Sequence, residues 1–251
     1  MRLDKYLIEN NIYESRNKAL NAIKDGLVLV NGEVITKPAF EVNPTDDVKS
    51  NGNSCPYVSR GGLKLEGAIK TFNLDFKDKV ILDIGSSTGG FTDCALKFGA
   101  RLVYAVDVGT NQLHETLKTN PKVISYENTN IIDLDLTKLE KIDYIVMDVS
   151  FVSIEYLLDS LDKIVDSANS LVCLIKPQFE IGKKKLKGGI VKDRSDHLLV
   201  LNQVSNALEE KGLYINKCAK SPILGGSGNL EFISLIKREK PKSKVNFLSI
   251  V

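Results

Sequence analysis

The sequence predicts an α/β protein in two parts: a Rossmann-like, seven-stranded and mostly parallel sheet over most of the chain, and a small N-terminal α+β unit. Three observations carry this. From Lys79 onward, short apolar runs alternate with helical stretches, as in a parallel sheet covered on both faces. A glycine-rich turn follows the first of these runs. Residues 1 to 50 follow a different rhythm, two short helical segments and then a tight hairpin.

In that first part, Leu3, Tyr6 and Leu7, then Ala19, Leu20 and Ile23, recur at helical spacing. Ser15 is placed to cap the second helix and Gly26 to end it. Leu27–Val30 and Glu33–Ile35 flank Asn31-Gly32, a pair that supplies positive φ at both turn positions. A further strand is expected around Phe40 to Lys49. Residues 51–58 read as a linker, from the composition of Asn51-Gly52-Asn53-Ser54-Cys55-Pro56. The large domain then spans 59–240, and 241–251 form a C-terminal tail.

Tyr57-Val58-Ser59-Arg60-Gly61-Gly62-Leu63-Lys64-Leu65 opens a helix that runs to about Phe72. The strands follow at Val80–Ile84, Leu102–Val106, Val123–Tyr126, Tyr144–Met147, Leu171–Ile175, Tyr214–Cys218 and Glu231–Ile236. Between the last two lies only the glycine-rich stretch 225–229, too short for a crossover helix, so the final strand is expected to enter antiparallel.

Composition narrows the setting. With 43% hydrophobic and 26% charged residues, the chain has an ordinary soluble balance. It has no apolar run near the ~20 residues of a membrane span and no signal-peptide core, so the expected place is the cytoplasm. Cys55, Cys94, Cys173 and Cys218 are widely separated, which indicates neither a zinc site nor a disulfide framework, and no metal is expected. His114 and His197 show no ligand spacing. A net charge of +2 is too small to argue for nucleic acid by itself.

The turn narrows the chemistry. Its pattern is Asp83-x-Gly85-x-x-x-Gly89-Gly90 rather than the dinucleotide G-x-G-x-x-G. Asp83 suits a ligand that carries an ammonium group, as S-adenosylmethionine does at its amino-acid end. Asp107 closes the next strand, where a carboxylate can take both hydroxyls of a ribose. The candidate cofactor residues are therefore Asp83, Gly85, Ser86, Ser87, Thr88, Gly89, Gly90, Phe91 and Asp107. Asn130 and Asp133, after the third strand, stand where such a fold positions adenine, and Asp148 completes the set.

Four charged residues flank the same strand ends. Asp148 ends the fourth strand, Lys176 ends the fifth, Glu231 opens the last, and Lys64 lies on the preceding helix. Asp and Lys closing neighbouring apolar strands are costly unless paired, so mutual pairing is expected.

These stretches resemble known families. Arg2-Leu3-Asp4, Ser15-Arg16 and Val28-x-Val30-Asn31-Gly32 resemble the RNA-binding domain first seen in ribosomal protein S-four. That resemblance implies phosphate contacts from Arg2, Lys5, Arg16, Lys18 and Lys37. Lys64, Asp148, Lys176 and Glu231 look like the Lys-Asp-Lys-Glu tetrad of the FtsJ-like ribose 2′-O-methyltransferases. With Ser59-Arg60-Gly61-Gly62, Lys176-Pro177-Gln178-Phe179-Glu180 and Gly228-Asn229-x-Glu231, the whole resembles the TlyA family, also called haemolysin A. The resemblance implies 2′-O-methylation of cytidine in small- or large-subunit ribosomal RNA, with S-adenosylmethionine as cofactor. Ribosomal RNA or ribosomal subunits are then the partners; no membrane is expected, for want of a span, and a monomer is the default expectation.

On this reading Lys176 is the base, or the group that steers the hydroxyl, with Lys64 as the second positive charge. A free lysine titrates near ~10.4, so a lysine base needs burial or a cationic neighbour. Arg60 and the basic, glycine-flanked run Lys183, Lys184, Lys185 and Lys187 stand beside the cleft as RNA contacts. Two rival readings are a membrane-active haemolysin, which lacks a span or export signal, and a methyltransferase of another RNA.

Overall fold

The Asn31-Gly32 turn has φ of 52° and 85°, which lets two short strands reverse directly upon each other. In a computed structural model of the protein these strands belong to the first of two compact units, Met1–Pro56 and Tyr57–Val251. The structure describes all residues except 25, 51–54, 151, 166–169, 183–185, 187 and 226–227, and the side chains of 21, 24 and 163.

The first unit contains helices α1 (Leu3–Glu9) and α2 (Arg16–Lys24) and strands β1 (Val28–Val30), β2 (Glu33–Val34) and β3 (Val48–Ser50). The strands form an antiparallel sheet ordered β2-β1-β3. Ser15 Oγ accepts from the Lys18 N–H at 3.3 Å, capping α2. Leu3, Leu7, Ala19, Ile23, Val28 and Val30 close the core. The expected strand from Phe40 to Lys49 is mostly not one. Only residues 48–50 join the sheet, and Glu41 makes an isolated bridge to Arg2. Between them Pro44 has no N–H to offer, and the Asp46 carboxylate accepts from the Asn43 N–H at 2.8 Å, so the chain turns instead of laddering.

Asp4 in α1 is sealed from solvent. Arg2 donates to it through Nε at 2.9 Å and Nη2 at 3.1 Å, and Arg16 through Nη2 at 3.0 Å. The sequence reading gave both arginines to RNA phosphates. Their guanidinium groups also face a buried carboxylate, which they compensate, while the two side chains remain 44% and 64% exposed.

The second unit begins with α3 (Gly61–Phe72), shorter than the expected helix from Tyr57. Tyr57 is buried, its ring occupying the place where Gly62 has no Cβ, and the Val58 N–H goes to Asp93 at 2.9 Å. The sheet consists of β4 (Val80–Ile84), β5 (Leu102–Val106), β6 (Val123–Tyr126), β7 (Tyr144–Met147), β8 (Leu171–Ile175), β9 (Tyr214–Lys220) and β10 (Phe232–Lys237). Its order is β6-β5-β4-β7-β8-β10-β9, and β10 is antiparallel to both neighbours while the other pairs are parallel. The expected reversal of the last strand is found, with Glu231 just before it.

Every residue of β4, β5 and β8 is buried, because helices cover both faces. Leu82 and Ile84 pack with α6 (Ile154–Val165) and α8 (Arg194–Glu210). The alternate residues Ile81 and Asp83 face the other way, toward α4 (Gly90–Lys97). From β4 the chain builds outward to β5 and β6, then returns to β7 and β8 on the opposite side. A crevice opens at such a reversal, outside the carboxyl ends of the strands. The remaining short helices are α5 (Glu115–Lys118) and α7 (Pro177–Glu180). Glu180 Oε1 accepts from the Ile154 N–H at 2.9 Å and so caps α6. The C-terminal residues lie along α8, with Phe247 buried, Lys244 on Glu209 at 3.0 Å and Arg194 donating to the Leu248 carbonyl at 2.7 Å. Among the described residues no helix is long and apolar enough to cross a membrane.

Two outcomes are expected. Hydrogen bonds from Arg2, followed by those from Arg16, hold the Asp4 carboxyl below its ordinary range. A depressed acid stabilises the fold above its unfolded value, near ~3.9, and that contribution is lost as pH falls through the folded value. Protection factors of the amides in α1 and α2, taken relative to intrinsic exchange at each pH, should therefore fall on acidification, whereas Asp4→Asn should start less protected at pH ~6 and meet wild type at the acid end. Glu180 has the opposite sign, since burial pushes its carboxyl up to about 7. Its ionisation penalises the fold as pH rises from ~4.3, the unfolded value, toward the folded one. Glu180→Gln keeps an acceptor for Ile154 and should melt above wild type at pH ~8 but level with it near ~4.

Candidate active site

Because β4, β5, β7 and β8 are parallel, their carboxyl ends bring the glycine turn, Asp107, Asp148 and Lys176 to one edge. The antiparallel β10 presents its first end there, which adds Glu231, and α3 adds Lys64. The four charged side chains form a continuous row. Lys176 Nζ is 2.6 Å from Asp148 Oδ1, Lys64 Nζ is 3.5 Å from Asp148 Oδ2, and Lys64 Nζ is 2.7 Å from Glu231 Oε2. Asp148 thus spans both ammonium groups, and Lys64 is held between two carboxylates. None of the four side chains is more than 18% exposed.

Two further partners were not singled out in the sequence. Lys176 Nζ donates to Ser150 Oγ at 2.7 Å, and Gln178 Nε2 donates to Glu231 Oε1 at 3.0 Å. Both lie within stretches that the sequence marks, but nothing in a serine or glutamine distinguishes a partner of the tetrad from a loop residue. Lys176 also lies 5.8 Å from the centroid of the Phe179 ring. Asn229, two residues before Glu231, is buried and fastens another segment to this corner. Its Nδ2 donates to the Gly189 carbonyl and its Oδ1 accepts from the Val191 N–H, both at 3.0 Å.

The crevice beside the row is shaped by main chain. Gly85 (φ +79°) lies against the Asp148 carbonyl, which a Cβ would meet at 3.1 Å. Gly89 (φ +92°) caps α4 where a Cβ would come within 2.2 Å of Leu117. Asp107 organises the opposite wall, accepting from the Ser87 N–H through Oδ2 and from the Gly109 N–H through Oδ1, both at 2.7 Å. Each oxygen retains a lone pair for another donor. Glu127 fixes the chain beyond it by accepting from the N–H groups of Asn111, Gln112 and Leu113 at 2.9, 3.0 and 3.2 Å. A bare backbone loop and a carboxylate with free lone pairs fit a ligand that carries a ribose and a charged amino-acid end, as S-adenosylmethionine does.

Several expected contacts take a different form. Asp83 is wholly buried beneath α4, where Oδ2 accepts from Thr92 Oγ1 at 2.6 Å and Oδ1 has no hydrogen-bond partner among the described residues. Burial pushes its carboxyl up to about 7. Through Oδ2 it braces the turn from the α4 side, the direction in which strand alternation turns it. Phe91 is likewise buried, so its side chain belongs to the core. Ser86 is buried, while Ser87 and Thr88 are exposed. Asn130 spends its side-chain oxygen on the Ile132 N–H at 3.2 Å, and Asp133 is exposed at the end of that turn.

Of the expected RNA contacts, Lys5 and Lys37 are exposed, and Lys18 pairs with Glu14. Arg60 donates to the Leu224 carbonyl at 3.3 Å. Lys183, Lys184, Lys185 and Lys187 lie outside the described residues.

The FtsJ-like methyltransferase family pattern matches residues 57–238, and the S4 domain pattern matches residues 1–48. The 23S rRNA (cytidine-2′-O)-methyltransferase TlyA of Campylobacter jejuni is 37% identical, over 92% of this chain and 97% of its own. The 16S/23S rRNA (cytidine-2′-O)-methyltransferase TlyA of Mycobacterium tuberculosis is 34% identical, over 96% and 91%. A hemolysin-class protein of Streptococcus thermophilus, whose structure is solved, superposes with a TM-score of 0.75 at 39% identity, covering 98% of this chain and 90% of the other. The row of paired charges at a methyltransferase-type sheet edge and these matches agree: the chain belongs to the FtsJ-like methyltransferase family, in a form whose methyltransferase unit follows an S4 domain.

Proposed function

We propose that the protein transfers a methyl group from S-adenosylmethionine to the 2′-hydroxyl of a cytidine ribose in ribosomal RNA. The observation that carries the reading is the row Lys176, Asp148, Lys64, Glu231 at the edge that also bears the glycine turn and Asp107. Cytidine and ribosomal RNA are what the Campylobacter and Mycobacterium relatives act on by name. The S4 match supports an RNA partner, and with it goes our reading of a cytoplasmic protein that acts as a monomer.

A ribose hydroxyl is a poor nucleophile, so the protein must position it and remove one proton. S-adenosylmethionine, when bound, supplies an electrophilic methyl group on a sulfonium. Lys176 acts in its free-amine form: Nζ takes the hydroxyl proton as the oxygen bonds to the methyl group, and the ammonium so formed is compensated by Asp148. Ser150 suits both states of that nitrogen, since a hydroxyl accepts from an ammonium and donates to a free amine. Asp148 keeps the two lysines at fixed separation, and Lys64 supplies the second positive charge while Glu231 holds it. The main chain from Gly85 to Gly90 and Asp107 hold the cofactor, with Asn130 and Asp133 on the adenine side and Asp83 and Phe91 supporting the turn from inside. Arg2, Lys5, Arg16, Lys18 and Lys37 of residues 1–50, together with Arg60 and the lysine run at 183–187, hold RNA phosphates, and their effect is salt-dependent.

The reading is tested by methyl transfer from labelled S-adenosylmethionine to separated ribosomal subunits that lack the modification. Label that resists alkaline cleavage at a cytidine supports it, and no label despite cofactor binding rejects it. Lys176→Ala should lower turnover by about 10²- to 10⁴-fold with cofactor affinity unchanged in calorimetry; near-normal turnover would remove Lys176 from its role. Gly89→Ala must place a side chain at φ +92° against Leu117 and should weaken cofactor binding, by about tenfold or more in the same titration.

A further inference from the structure

We infer that Gln178 selects the base of the target nucleotide, its Oε1 accepting from the exocyclic amine of cytosine and rejecting uracil. This rests on the reading just given, in which the ribose 2′-oxygen faces Lys176. Gln178 lies in α7, the turn that begins immediately after Lys176. Its Nε2 donates to Glu231 Oε1 at 3.0 Å, while Lys64 occupies the other oxygen of that carboxylate at 2.7 Å. A carboxylate held by an ammonium has no proton to offer, so only the amide nitrogen can face it. Flipping the amide would set two acceptors 3.0 Å apart. Gly225 presses on the same Glu231 oxygen, where a Cβ would come within 2.4 Å, which leaves the carboxylate little freedom to turn. The tetrad therefore dictates which way Oε1 points.

That oxygen is enclosed and finds no donor among the described residues. A buried acceptor without a donor is costly, and its persistence beside a reaction centre calls for a ligand that supplies the donor. Within an RNA chain the 3′ and 5′ oxygens of a nucleoside are esterified, and on this reading the 2′ proton goes to Lys176. Of the target nucleoside's own groups, the donors that remain are on the base. Cytosine offers an amine at the position where uracil presents a carbonyl oxygen. Cytosine satisfies Gln178, whereas uracil sets oxygen against oxygen in a site shielded from water, so attraction and repulsion both favour cytidine.

The test starts from the nucleotide mapped with the wild-type protein on unmodified subunits. RNA is then prepared with cytidine, uridine or pyrimidin-2-one riboside there, the last being cytidine without its 4-amino group. Wild type should lose about 10- to 100-fold in kcat/KM on uridine and on the pyrimidinone. Gln178→Leu, of similar size, should be slow on cytidine and treat all three within about threefold. Equal slowing of the variant on all three, with the preference intact, would overturn the inference and leave Gln178 as a brace for Glu231. Wild type that methylates the pyrimidinone as fast as cytidine would overturn it without recourse to any variant. S-adenosylhomocysteine calorimetry and melting of Gln178→Leu establish that the variant is folded. If no subunit acquires a 2′-O-methyl group, the underlying reading fails instead, a result distinct from methylation without base preference.

Discussion

Two carboxylates and two lysines must leave water together at the edge of the large sheet, and that constraint organises the site. Removing one partner from such a set leaves an uncompensated buried charge, a loss of about 3–5 kcal/mol in comparable cases. The members come from α3, the ends of β7 and β8, and the start of β10, so their neutrality is available only when these elements are assembled. Inserting β10 antiparallel between β8 and β9 is what brings Glu231 to the end of the sheet where the parallel strands deliver Asp148 and Lys176. A parallel β10 would start at the opposite edge and leave Lys64 with Asp148 alone.

The neighbouring crevice uses a different economy of parts. Side-chain carboxylates there organise backbone: Asp107 holds Ser87 and Gly109, and Glu127 gathers three successive N–H groups. Asp83 works from beneath through Thr92. The wall is consequently stiff without being bulky, which suits a surface that must approach a ligand closely.

Much of this was legible in the amino-acid order. The strands announce themselves because a parallel sheet buried on both faces requires unbroken apolar runs, and Val80–Ile84 or Leu171–Ile175 could hardly be anything else. The reversed last strand followed from the short connection before it. What stayed hidden depends on direction in space. Asp83 sits at a motif position, yet whether it lines the crevice or faces a helix is decided by strand alternation relative to α4. That Arg2 and Arg16 also compensate Asp4 could not be read, since Asp4 is an ordinary helix residue until the fold seals it inside. Pro44 and Asn43 carried the signal against a long third strand, and the turn they make with Asp46 breaks the run around Phe40 to Lys49. Ser150 and Gln178 gain meaning only through partners 26 and 53 positions away.

Asn229 joins two stretches whose tasks differ. It grips the backbone at Gly189 and Val191, just past the lysine-rich stretch, while Ile181, just before that stretch, is tied to Pro177 and buried. Both ends of the intervening residues are thereby anchored to the framework that carries Lys176 and Glu231. The two anchors thus define a cassette, into which a designer can graft a foreign loop and ask what it adds to the framework around Lys176 and Glu231.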